Sequence, residues 1–352
     1  MLSNSYRDAL AEVMSNAMAE KDNTIIIGQG VADHKGLFGT TLGLAERYPN
    51  RVLDTPIAED SVAGICIGAA LNGVYPINTH IRADFSLLMF NQLINLAAKY
   101  KYMFGGLFEV PMMVRMIIGR SWGQGAQHSQ SLQSLIAHIP GLIVLMPSRP
   151  ESVRAGYKFA IESHRGPVVM LEHRLLYDLE FDNDADLIIP ENPLMGSILL
   201  SEGDDVTIVA TSVMVVEVMR AARYLETLGI SVEVIDLHSI SHPNRDMIVT
   251  SVEKTRKLLV ADTSWSPFGV AAEISRLICE YSPAILERPV ISLGMPQAPC
   301  PTAKALEDIY YPDFSKIVEE TIKLCKPEKY KDSLIPPRQS MTDYYKHFKG
   351  PF

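Results

Sequence analysis

Val52-Leu-Asp-Thr-Pro-Ile-Ala-Glu59-Asp-Ser-Val-Ala-Gly-Ile-Cys-Ile-Gly-Ala-Ala-Leu-Asn72 is the stretch on which the fold reading turns. A short apolar run ends at Pro56, which cannot donate to a sheet ladder, and a helix is expected from Glu59 to Asn72. That helix is rich in small residues (Ala63, Gly64, Gly68, Ala69, Ala70), so another backbone can approach it closely. Strand followed by helix is the unit from which parallel sheets are built.

The same unit recurs on both sides. Upstream, Thr24-Ile-Ile-Ile-Gly28 reads as a compact strand. Downstream, Tyr75–Ile81 is expected as strand, Phe85–Tyr100 as one long helix, Val110–Ile118 as strand, and Gly119–Gln127 as a glycine-rich loop. A helix over Ser129–His138 follows, with Ser129 as its N-cap. Leu142–Met146, Glu151–Ser163 and Val168–Glu172 then give strand, helix, strand. Periodicity stops between Leu176 and Ser197, where acidic residues precede Pro190 and Pro193. A second alternating pattern follows, with strands at Val206–Thr211, Val232–Leu237, Leu258–Asp262 and Val290–Leu293. Its helices are expected at Val216–Leu228, Arg245–Lys257, Val270–Tyr281 and Phe314–Leu324. The chain divides into a first domain (1–176), a linker (177–197), a second domain (198–326) and a tail (327–352) lying on a surface or a partner. Both domains are α/β.

Composition sets limits on function. At 352 residues the chain holds two domains of ordinary size, and 47% apolar with 21% charged residues is the mixture of a globular protein. A net charge of −9 gives a nucleic-acid surface no global support. Sixteen methionines and a mean hydropathy of +0.08 fit extra buried surface in an oligomer, or simply a methionine-rich core. Cys66, Cys279, Cys300 and Cys325 stand far apart and read as thiols in a reducing compartment. No apolar run is long enough to span a membrane, and the N-terminus lacks a signal pattern, so the cytoplasm is expected.

The motifs of common α/β enzymes are missing. Gly28-Gln-Gly30 lacks the third glycine of a dinucleotide loop, and there is no GxxxxGK[ST] and no GxSxG. Glu59 is the oddest carboxylate. On chemistry alone, charge complementarity at a helix start, about 0.3–1 kcal/mol, is the stronger explanation for it. His128 ends a glycine-rich loop. An acid–base or substrate-binding role and a capping role suit it about equally. His138 reads as structural.

Several segments together resemble one family, the beta subunits of the first component of 2-oxo acid dehydrogenase complexes of pyruvate, branched-chain and acetoin type. They are Asp54-Thr-Pro-Ile-Ala-Glu59, Asn95-Leu-Ala-Ala-Lys-Tyr-Lys-Tyr-Met103-Phe-Gly-Gly106, Ala126-Gln-His-Ser-Gln-Ser131, Ala137-His-Ile-Pro-Gly-Leu142 and Met146-Pro-Ser148. The resemblance runs from about residue 4 to 325, in order and at the family's spacing. It implies a thiamine-diphosphate-binding, pyrimidine-type parallel-sheet domain followed by a transketolase C-terminal-like domain. It also implies an alpha-type partner, with the beta chains pairing inside an alpha2beta2 tetramer, and a possible lipoyl acyltransferase beyond that. By resemblance, Glu59 holds a proton at N1′ of the cofactor's aminopyrimidine ring, which favours the imino tautomer needed to deprotonate the thiazolium carbon. Phe85 matches the aromatic that packs on that ring, Ile81 an apolar wall beside it, and His128 the histidine facing the substrate and the acyl acceptor. Arg120, Trp122 and Gln127 line the approach.

The Gly-Asp-Gly…Asn pair that holds diphosphate and magnesium in this superfamily has no match here, so thiamine diphosphate and its magnesium are expected to rest mainly on the alpha chain. No metal site is assigned to this chain. Ser163 and Arg165 fall where some members coordinate potassium, and a guanidinium there supplies positive charge itself. Gln29 stands where the family usually has glutamate, and Arg115-Met-Ile-Ile-Gly-Arg-Ser-Trp122 replaces the usual Arg-Gly-Pro and glycine run. Those departures keep a second reading open: a thiamine-dependent lyase, ligase or transketolase-like subunit without a lipoyl partner.

Overall fold

The computed structural model describes residues 4–119, 124–182, 187–339 and Tyr345. Among them, eleven strands form two sheets. The first has the order β2-β1-β3-β4-β6-β5, with β1 at Thr24–Gly28, β2 at Val52–Asp54, β3 at Tyr75–His80, β4 at Met112–Ile118, β5 at Ile143–Leu145 and β6 at Pro167–His173. All its pairings are parallel. The second runs β11-β10-β8-β9-β7, with β7 at Ile198–Ser201, β8 at Val206–Ala210, β9 at Val232–Asp236, β10 at Leu258–Trp265 and β11 at Ile291–Met295. It is parallel except for β7, which pairs antiparallel with β9.

Every residue of β3, β4, β6, β8 and β9 is buried. Strands that read apolar on both faces need cover on both faces, and helices supply it. On one face of the first sheet, the Tyr6–Glu20 and Pro150–Lys158 helices close a core around Leu10, Met14, Ile26, Ile77 and Tyr157. On the other, the Glu59–Leu71 helix packs against Met89, Leu93 and Val114, and this core continues into Ile235, Ile248, Val252 and Ile274 of the second domain. A third core lies between the second sheet and the Val213–Thr227 and Phe314–Cys325 helices.

The domains are also joined through backbone. Leu145 of the edge strand β5 bridges antiparallel to Ser239, Met146 N donates to His238 O (2.8 Å), and Ile240 N donates to Val144 O (2.9 Å). An edge strand is thereby covered by the neighbouring domain.

Inside the first sheet, Arg115 and Glu172 are fully buried and paired two-pronged, with Nε–Oε1 and Nη2–Oε2 both at 2.7 Å. Tyr157 and Tyr177 donate their hydroxyls to the same carboxylate. Burial, reinforced by Glu172, pushes both phenols well above their ordinary range.

Several local expectations are corrected. The helix placed over Ser129–His138 is only Gln133–Ala137, and Leu132, not Ser129, is its N-cap. Residues ahead of it spend their polar groups on distant partners, which holds the chain out of helix. The helical run from Phe85 to Tyr100 is broken into Ala83–Ser86, a 3-10 turn at Leu87–Met89, a wide π turn at Asn91–Ala97 and a last turn at Tyr100–Met103. Its end is fixed by Gly141, where a Cβ would stand 2.1 Å from the Ala98 carbonyl oxygen. The β7 strand and the Lys304–Tyr310 helix lie outside the predicted pattern. Residues 327–339 lie on the second domain: Tyr224 donates to Leu334 O (3.0 Å), Ser315 to Pro336 O (2.7 Å) and Arg338 to Asp313 (3.1 Å). Among the described residues, no helix is long and apolar enough to cross a membrane.

Candidate active site

Parallel strands end together, so the loops that follow them gather along one edge of the sheet. At the C-terminal edge of the first sheet, β1 runs into Gly28-Gln29-Gly30. Gly28 sits at φ +154°, and a Cβ there would stand 2.2 Å from the Thr79 carbonyl oxygen of β3, so only glycine fits. Gly30 N donates to Asp54 Oδ1 at the end of β2 (2.8 Å), which ties the loop after β1 to the neighbouring strand. Ile81, one residue past β3, places its Cδ1 beside Gly30.

Glu59 opens its helix at this edge and is 7% exposed. Its Oε1 accepts a hydrogen bond from Gln29 Nε2 (3.3 Å), and Oε2 has no partner among the described residues. A largely buried carboxylate that receives a single long hydrogen bond keeps acceptor capacity for a further partner. The glutamine that departs from the family pattern is therefore the group that meets the glutamate.

Four residues beyond Ile81, Phe85 lies half-exposed, and the His128 ring stands edge-on to it at 5.3 Å between centroids. The loop bearing His128 is held by Asp84, whose Oδ1 accepts from Gln130 N (3.1 Å). Burial raises the Asp84 carboxyl above its ordinary range, tempered by the hydrogen bonds from Gln130. Gln127 is exposed beside His128. Behind this site His80, at the end of β3, is buried with Nε2 unpaired among the described residues, and burial lowers it to about 4.

The structure thus brings Glu59 and Ile81 to the same Gln29–Gly30 turn and Phe85 to His128, the two places joined by the segment 81–85. Arg120 and Trp122 lie outside the described residues. Arg165 is paired with Glu109 (3.2 Å) away from this edge. Sequence reasoning overlooked Asp84. Its only signal was a carboxylate directly beside an aromatic already singled out.

Around the site, Ile57, Ile65 and Leu88 are 82%, 58% and 61% exposed.

The comparisons with known proteins define the class first. A model of the transketolase pyrimidine-binding domain matches residues 3–180, and one of the transketolase C-terminal domain matches residues 197–317. Curated relatives include the beta subunit of acetoin:2,6-dichlorophenolindophenol oxidoreductase from Bacillus subtilis (36% identical, 91% of this chain and 96% of the relative). The beta subunits of the pyruvate dehydrogenase E1 component match at 35% in Rickettsia conorii (91% and 97%) and at 38% in Pisum sativum, a mitochondrial protein (91% and 89%). The chain belongs to this family, the beta subunits of 2-oxo acid dehydrogenase E1 components. A solved structure described as a split-gene transketolase, an inactive beta4 tetramer, aligns at TM-score 0.75 and 22% identity, covering 92% of this chain and 98% of that one, a likeness of fold alone.

Proposed function

We propose that this chain is the beta half of a thiamine-diphosphate-dependent 2-oxo acid dehydrogenase, active only with an alpha-type partner and passing the acyl group to lipoamide. Glu59 carries the reading: a buried carboxylate, one oxygen uncommitted among the described residues, at the open edge of a pyrimidine-type domain. The residues fit the aminopyrimidine half of the cofactor, with Glu59 to face a ring nitrogen, Phe85 to pack on the ring and Ile81 to wall it. They do not fit the diphosphate half. Among the described residues, no group of three or more His, Cys, Asp or Glu side chains is placed to hold a metal ion. Magnesium and diphosphate are accordingly assigned mainly to the alpha chain.

When bound, the cofactor supplies the electron sink for decarboxylation. Glu59 would then hold a proton at the ring nitrogen, with Gln29 bonded to the other oxygen of the same carboxylate. His128, held edge-on to Phe85 on a loop bonded to Asp84, would move a proton for substrate or acyl acceptor. Gln127, exposed beside His128, lines the approach. Exposed Tyr102, Met103 and Leu107 form a further apolar surface suited to pairing of beta chains in an alpha2beta2 tetramer, with a lipoyl acyltransferase docking outside. We place the enzyme in the cytoplasm and keep the division at 1–176, 177–197, 198–326 and 327–352.

The test is reconstitution with an alpha-type chain and assay of 2-oxo-acid-dependent reduction of an artificial electron acceptor. Glu59→Gln is expected to lower kcat roughly 10²–10⁴-fold while the assembly forms normally. Undiminished activity of that variant would overturn the assignment.

A further inference from the structure

The second sheet reverses its strand order beside β8, since β9 is laid on one side of it and β10 on the other. A crevice opens between strand ends at such a point, and in open α/β sheets this is where ligands bind. Thr211 and Asp262 stand at its mouth, each one residue beyond the last β8–β10 rung, Ala210↔Ala261. Here the crevice is occupied by the other domain of the same chain.

Asp262 is buried and its acceptor capacity is fully used. Oδ1 accepts from Gln133 Nε2 (2.7 Å), Thr211 Oγ1 (2.7 Å) and Thr263 N (2.8 Å). Oδ2 accepts from Ser264 Oγ and from Val270 N (3.2 Å), the first residue of the Val270–Tyr281 helix. Gln133 is fully buried. Its amide also donates to Thr263 Oγ1 (3.0 Å), and its Oε1 accepts from Ser131 Oγ (2.7 Å), which itself lies 2.9 Å from Thr263 Oγ1. Hydrogen bonds to a buried carboxylate are among the stronger ones a fold makes, and a buried glutamine with both ends satisfied has one orientation.

Ser131 and Gln133 follow His128 by three and five residues. Upstream the same loop is pinned at Gly125 (φ +70°), packed so tightly on Thr302 of the second domain that a Cβ would stand 2.6 Å from its hydroxyl. Between these points the loop has no regular structure to fix its height. We infer that Gln133 and Asp262 are positioning residues. The second domain uses its own ligand crevice to grip the His128 loop and set the imidazole over Phe85. This rests on the reading of His128 as a site residue.

The experiment uses the assembled complex with its alpha-type chain and compares wild type, Gln133→Leu, Ser131→Ala and the reciprocal pair Gln133→Glu with Asp262→Asn. In Gln133→Leu, kcat is expected to fall about 10–100-fold while KM for the 2-oxo acid stays within about threefold, the signature of misplacement without lost binding. Amide hydrogen exchange should rise over 125–132 and stay unchanged over the Glu59–Leu71 helix. Ser131→Ala should move both readouts the same way by less, and it carries the test if Gln133→Leu does not fold. The reciprocal pair restores the donor–acceptor contact between positions 133 and 262 but turns an amide N–H toward the backbone N–H of Thr263, so it should recover both readouts only in part. Unchanged loop exchange, or exchange raised equally across the chain, would overturn the inference. Glu59→Gln run alongside separates the two claims: its activity judges the proposed chemistry, whereas loop exchange judges the grip independently of turnover.

Discussion

The two sheets end in matching ways and are used in opposite ways. At the first sheet's C-terminal edge, Glu59 meets the Gly28–Gly30 loop and keeps acceptor capacity, Phe85 lies half-exposed, and Ile57, Ile65 and Leu88 of the segments that follow the strands are exposed. At the second, Asp236 and Asp262 at the strand ends are spent on the neighbouring domain, on Ser148 and Gln133 respectively. One carboxylate-bearing edge carries the proposed site, and the other is consumed in contacts with the neighbouring domain. The lesson is that a parallel sheet's strand ends are an adaptable socket, and what fills them decides whether the domain acts or supports.

That contrast can be broken from several sides. Under the open edge, the Arg115–Glu172 pair with its two tyrosines is the internal brace of the first sheet. Glu172→Gln, which leaves a buried guanidinium unmatched, should cost about 3–5 kcal/mol in urea unfolding. A loss below about 1 kcal/mol, the worth of a surface pair, would show that the open edge needs no brace from within.

The filled edge makes a pH prediction. Burial pushes Asp236 up to about 6 from 3.8, and lowers His238, two residues on, to about 4 from 6.5. The raised carboxyl contributes stability at low pH that is lost as pH rises through 6. The lowered imidazole contributes stability at neutral pH that is lost as pH falls from 6.5 toward 4. The two slopes oppose and largely cancel between pH 4 and 6. In His238→Gln the second slope is removed, so its stability measured against wild type should fall by about 3 kcal/mol on going from pH 4 to pH 6.5. Asp236→Asn should show the reverse slope. Parallel profiles for all three proteins would refute the assignment of burial as the cause.

The smallest effect belongs to the rim of the open edge. Ile65→Glu or Leu88→Glu should weaken association with the alpha-type chain about tenfold or more, roughly 1.4 kcal/mol, with the chain's own melting unchanged. Unaltered affinity would mean that this edge is not where the partner sits.

Much of this architecture was legible beforehand. The strands of the first sheet fall within a residue or two of their expected places, because runs such as Thr24–Gly28 and Val168–Glu172 are apolar on both faces and bounded by clear breakers. The β7 strand was not, since Ile198–Ser201 gains strand character only from its pairing with β9. Ser129 misled for a related reason. A serine ahead of an apolar run is the local signature of a cap, but here Ser131 and Gln133 spend their side chains on residues some 130 positions away. The site divides in the same manner. Glu59 at a helix start was explicable locally as charge complementarity, and only resemblance to a family gave it a task. The pairing with Gln29, the Asp84 anchor and the Asp262 grip are long-range contacts that no spacing encodes.

The bridge from Leu145 to Ser239 has a mechanical consequence. Two domains stitched by main-chain bonds and sharing one apolar core cannot swing apart like the halves of a hinged clamp without melting that seam. The chain travels as a single block. In the proposed complex, admission of substrate and release of product would then fall to loops and to movement of one subunit against another.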